Sequence, residues 1–151
     1  MLTEYRDHLG KDHGAATVLL EGPGGNWIAF VGNDGFNTTF ASSSRVRFLN
    51  RLADYVSGRK LPCLALEPVQ CLIVPMVTEE GVLRSVTILN VTIGVGKPFE
   101  LLLRGVPESV TEAEWCVPSE KPVKLPLTKA AGACKVTIPA VAPWGIGWLK
   151  V

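Results

Sequence analysis

The spacing of apolar positions changes near Leu61-Pro62. Ahead of that point, two short apolar runs, Ala15–Leu20 and Trp27–Val31, lead into a stretch of helical period. Both runs are nearly continuous, the pattern of strands buried on both faces as in an α/β sheet rather than of a half-exposed hairpin. Leu2, Tyr5, Arg6 and Leu9 have loose helical spacing, so residues 2–9 are expected to form a short helix ended by Gly10. The clearest helix lies between the hydroxyls of Ser42-Ser43-Ser44, which suit an N-cap, and Gly58, which suits a C-terminal stop. At about 100° per residue, Val46, Phe48, Leu49, Leu52, Ala53, Tyr55 and Val56 gather on one half of that helix, and Arg47, Asn50, Arg51 and Asp54 on the other. Such a broad apolar arc is what a helix lying on a sheet needs.

Beyond residue 61 the period becomes two. Candidate strands are Val69–Met76, Val82–Ile93, Phe99–Val106, Ala113–Val117, Val123–Leu127, Ala133–Ile138 and Ile146–Val151. The alternation is plain where Phe99, Leu101 and Leu103 oppose Glu100 and Arg104, and where Cys134, Val136 and Ile138 oppose Lys135 and Thr137. About seven short strands at this spacing predict an antiparallel β-sandwich, immunoglobulin-like in general architecture. Pro62, Pro75, Pro118, Pro126 and Pro139 are assigned to strand ends or edges, because proline cannot donate to a central ladder. The predicted class is therefore mainly β with a small α/β part. Residues 1–60 form a partial strand-strand-helix segment and residues 61–151 the sandwich domain. One helix covers one face of the first sheet. The other is expected to be covered by residues 2–9, by the C-terminal half, or by chain outside this sequence, which suggests the tail of a larger α/β domain.

Composition supports a packed core: 47% of the 151 residues are hydrophobic and 19% charged. A separate 60-residue piece buries only about 60% of its unfolded surface, so residues 1–60 are expected to pack against the rest. A formal charge of +1 supplies no global field to draw nucleic acid or an anionic membrane, and neither is expected as a partner. Residues 1–14 are polar and charged, unlike a signal peptide, and the apolar stretch at Cys71–Val77 is too short to span a bilayer, so a soluble chain of unassigned compartment is expected. Cys63, Cys71, Cys116 and Cys134 show neither a C-x-x-C pair nor metal-ligand spacing. They read as reduced structural thiols, with one disulfide as the alternative.

Candidate chemistry is sparse. Gly22-Pro23-Gly24-Gly25 is followed by a strand, not by the Lys-Ser/Thr and helix of a phosphate loop, and reads as a turn. His8 and His13 are the only histidines and sit in a polar stretch, as surface residues do. Glu112 and Glu114 share one face of a strand, at a spacing close to that of glycosidase carboxylates, but nothing nearby predicts a cleft to split their pKa values. Arg45, Arg47, Arg51, Arg59 and Lys60 concentrate charge on and after the helix without forming a continuous basic stripe. Asn37-Thr38-Thr39 and Asn90-Val91-Thr92 match the glycosylation pattern, the second inside a predicted strand. No catalytic residue, cofactor or metal ligand is assigned. The candidates for glycan contact are Trp115, Trp144 and Trp148, whose indoles would stack on a sugar ring if exposed; core packing is the favoured alternative. Trp27 is expected in the core. In Trp144-Gly145-Ile146-Gly147-Trp148, alternation places both indoles on one side and the glycines on the other, where another backbone can approach.

Gly25–Gly32 and Ser42–Gly58 with Leu61-Pro62 resemble the closing strand and helix of a glutamine-amidotransferase-like α/β domain found within large carbohydrate-active bacterial proteins. Residues 83–90 (LRSVTILN) and 136–144 (VTIPAVAPW) resemble the C-terminal β-sandwich that follows in those glycoside-hydrolase-like proteins. The resemblance implies a non-catalytic accessory region, serving domain packing, oligomer assembly or weak glycan contact, with any glycosidase chemistry in an upstream barrel. Its partners would be other domains of a parent protein, a second copy, or carbohydrate. The alternatives are a stand-alone carbohydrate-binding module, and a small enzyme built on Glu112 and Glu114 or on the Asp34 loop.

Overall fold

The computed structural model describes residues 3–6, 9–23, 27–31 and 43–151. They form two compact units, Met1–Arg59 and Lys60–Val151. His8, Asp34, the Asn37 sequon and Ser42 fall outside the described residues, as do the side chains of His13, Trp27 and Arg45.

In the first unit, strands β1 (Thr3–Arg6), β2 (Asp12–Glu21) and β3 (Trp27–Val31) form an antiparallel meander in that order. Within the stretch 2–9, where a helix is expected, Thr3–Arg6 is a strand instead, with Thr3 set opposite Thr17 and Arg6 opposite Asp12. Thr3 and Tyr5 are strand formers, and a ladder with β2 outweighs a helix of barely two turns whose nucleation is costly. Leu9, counted among the helical apolar positions, lies exposed in the turn. Burial on both faces does not hold along β2 either, since Thr17 is buried while Leu20 is exposed.

Helix α1 (Ser43–Val56) buries Leu52 and runs beside β3. Its end shows why Gly58 is there. The Gly58 amide donates to the Tyr55 carbonyl at 2.9 Å and the Arg59 amide to that of Asp54 at 2.8 Å, a Schellman arrangement. Gly58 takes the required left-handed conformation at φ 66°.

The second unit is an antiparallel sandwich, mainly as its alternation predicts. Its strands are β4 (Cys63–Ala65), β5 (Cys71–Val77), β6 (Leu83–Asn90), β7 (Phe99–Leu103), β8 (Glu112–Cys116), β9 (Val123–Pro126), β10 (Thr128–Ala130), β11 (Ala133–Ile138) and β12 (Ile146–Lys150). One sheet has the order β10-β11-β7-β4, the other β5-β6-β12-β8-β9. Phe99, Leu101, Leu103, Cys134, Val136 and Ile138 of the first sheet share a core with Val86, Ile88, Ala113, Trp115 and Leu149 of the second. Each fully buried aliphatic side chain contributes about 1.5–3 kcal/mol. Pro75 sits in the edge strand β5 and Pro126 ends the edge strand β9, where a missing N–H costs least. Strands β4 and β10 are too short to show a period in sequence.

Candidate functional site

Cross-strand partners lie on the same side of a sheet, so the ladders of the five-stranded sheet define its outer face. Leu72 pairs with Leu89 and Leu89 with Ile146; Val74 pairs with Thr87 and Thr87 with Trp148; Met76 pairs with Ser85 and Ser85 with Lys150. Leu72, Val74, Met76 and Ile146 are all exposed. This half of the outer face is apolar, although an outer face of an antiparallel sheet usually carries polar side chains. Across β12 the character reverses. Lys150 meets Glu114 at 3.4 Å, and Lys124 meets Glu112 at 2.9 Å, all four side chains largely exposed. The hydrogen bond from Lys124 to Glu112 holds the amine above its ordinary pKa. Glu112 and Glu114 therefore belong to a solvated, lysine-paired ladder rather than to a desolvated cleft.

The apolar half continues onto the loops at one end of the sandwich. Asn90, 1% exposed, closes β6 and ties two of these loops together. Its Nδ2 donates to the carbonyls of Gly94 (2.8 Å), Val141 (3.0 Å) and Ala142 (3.1 Å). Its Oδ1 accepts from the Thr92 amide (3.0 Å) and hydroxyl (2.8 Å). A glycan on this nitrogen would break these bonds in the folded protein, so Asn90-Val91-Thr92 matches the glycosylation pattern in sequence only. Asparagine is needed here because only an amide offers both donors and an acceptor from one side chain. The loops so fastened expose Val91, Ile93, Val95 and Trp144, with Ile93 88% exposed. Beside them lies a shallow cavity of about 590 Å³ lined by Val69, Gln70, Cys71, Leu72, Val91 and Thr92.

The three candidate tryptophans have different fates. Trp115 is 5% exposed in the sandwich core, so it is unavailable to a sugar ring. A Cβ on Gly147 would overlap the Cζ2 and Cη2 atoms of its indole. The close approach expected at the glycines is made by an aromatic ring at Gly147 and by backbone at Gly145, where a Cβ would meet the Ala142 carbonyl oxygen at 2.8 Å. Trp148 lies half-buried on the outer face. Trp144 is 65% exposed at the loop end and adopts φ 52°, a left-handed conformation costly for any residue but glycine. Its amide donates to the Thr92 carbonyl at 3.3 Å, which joins it to the Asn90 cluster.

The four cysteines are free thiols. Burial pushes the Cys63 thiol up to about 11 and raises that of Cys71. Among the described residues, no group of three or more His, Cys, Asp or Glu is placed to share a metal ion, and no helix is long and apolar enough to cross a membrane.

Sequence reading did not anticipate the apolar outer face or the Asn90 cluster. A signal for the first was present: Cys71–Val77 is apolar at both odd and even positions, yet it forms an edge strand. Comparison with known proteins gave no matching family, no matching curated protein and no matching solved structure.

Proposed function

We propose that this chain is a non-catalytic accessory region of a glycoside-hydrolase-like protein, working through domain packing or oligomer assembly. The glycoside-hydrolase setting rests on the sequence resemblance. The packing role rests on one observation: the exposed apolar patch of Leu72, Val74, Met76 and Ile146, which meets Val91 across the cavity at the loop end. Contiguous exposed apolar surface of this kind marks contact sites, and its polar border of Lys150, Glu114, Lys124 and Glu112 resembles an interface rim. The loops that carry part of it are fixed beforehand by Asn90, so little ordering entropy opposes contact.

In isolation, with no parent domain to meet, the face should find a second copy. Sedimentation of the full chain over a concentration series is expected to show reversible association. Leu72→Glu with Met76→Glu should abolish it without altering the circular dichroism. A chain that stays monomeric throughout, or associates equally well with both substitutions, overturns the packing role.

Weak glycan contact is a second reading, favoured by the exposure of Trp144. It predicts a polysaccharide-dependent change in tryptophan fluorescence that Trp144→Ala removes. A flat titration eliminates it.

A further inference from the structure

We propose that Cys134 and Lys129 form an oxidation-dependent covalent bridge, a sulfur–nitrogen bond that pins the β10–β11 hairpin. The two residues are direct cross-strand partners, so the register of the hairpin holds their side chains on one side of the sheet. Lys129 Nζ lies 3.5 Å from Cys134 Sγ and also donates to the Val110 carbonyl at 3.0 Å, which holds the amine over the sulfur. Both residues line a cavity of about 450 Å³ with Gly105, Val106, Glu108 and Gly132. The cavity admits a small oxidant to a sulfur that is otherwise in the core.

The chemistry balances with hydrogen peroxide as oxidant. The Cys134 thiol loses two electrons as the peroxide O–O bond breaks, one oxygen leaving as water and the other remaining as sulfenic acid. The unprotonated Lys129 amine then attacks sulfur. The S–O bond breaks, the S–N bond forms, and the departing oxygen takes the amine proton to leave as a second water. The chain loses two hydrogens and one peroxide becomes two waters. A thiol reduces the bridge back to free Cys134 and Lys129.

The test is mass spectrometry of the full chain after mild peroxide treatment in native buffer, followed by tryptic mapping. The expected product is the peptide 125–135, uncut after Lys129, lighter by two hydrogens and restored to normal cleavage by dithiothreitol. Lys129→Arg keeps the positive charge and the hairpin but is a poor nucleophile. That variant should yield no bridged peptide and should accumulate a Cys134 sulfenic acid that dimedone traps. Identical Cys134 products in wild type and Lys129→Arg would overturn the proposal. So would a Cys134 that remains a thiol while the other cysteines oxidise.

Discussion

Replacing Gly147 with alanine forces a methyl carbon into the edge of the Trp115 indole, at the Cζ2 and Cη2 positions. The ring cannot step aside cheaply. It is nearly fully buried, and its backbone is fixed in the β8 ladder opposite Leu149 and Val123. Overpacking of a close-packed core costs about 1–3 kcal/mol, and the smaller backbone entropy of alanine offsets about 0.5–1 kcal/mol of it. The upper half of that range is expected here, because two ring carbons must move together, so Gly147→Ala should cost about 1–2.5 kcal/mol net. For a unit of this size each kcal/mol lowers Tm by roughly 4–8 °C. Urea unfolding followed by circular dichroism measures the change. The control is Trp115→Phe, alone and combined with Gly147→Ala. A smaller ring makes room for the methyl, so the double variant should be more stable than the summed single costs by about 1 kcal/mol or more. A Gly147→Ala chain within about 0.5 kcal/mol of wild type would refute the reasoning, as would strictly additive costs.

Asn90→Ala removes the two amide hydrogens shared among the carbonyls of Gly94, Val141 and Ala142 and should cost about 2–4 kcal/mol, with hydrogen exchange accelerating in residues 91–96 and 141–145 but not in β11. Asn90→Asp should be worse, because a carboxylate cannot donate to those carbonyls. Trp144→Gly relieves a left-handed backbone and should leave the unfolding free energy unchanged or raise it by up to about 1 kcal/mol; a loss of more than about 1 kcal/mol would show that the indole is packed. Cys63 supplies a pH prediction. Its folded pKa is raised from 9.0 to about 11, so its contribution to stability is intact below pH 9 and is lost as pH rises through 11, where the unfolded thiolate is favoured. Cys63→Ala should therefore show a shallower fall in stability than wild type between pH 9 and 11, and parallel curves would contradict the assignment.

What the sequence made legible follows from period. The inward residues of β7 and β11 alternate with neighbours that include Glu100, Lys135 and Thr137, and the structure buries Phe99, Leu101, Leu103, Val136 and Ile138 accordingly. The helix was readable from both ends, through its serine run and Gly58. Residues 2–9 misled because four positions at loose helical spacing are fewer than a ladder partner can override, and that partner, β2, was not visible as extending back to Asp12. The outer face was hidden for another reason. Period two reports which residues share a side, not which side faces water, and a strand apolar on both sides gives no sign at all. The Asn90 cluster depends on carbonyls some fifty positions away in sequence, which no local pattern reveals. The tryptophans were located but not sorted, since burial of Trp115 hinges on the absent side chain at Gly147.

The central claim, that the apolar side of the five-stranded sheet is a protein contact surface, is tested most directly through Met76, one of only two methionines in the chain. Its methyl resonance, recorded with ¹³C-labelled methionine across a dilution series, should shift and broaden as concentration rises, and Leu72→Glu should return it to the dilute position. A Met76 signal that stays sharp and unmoved at every concentration would contradict the account.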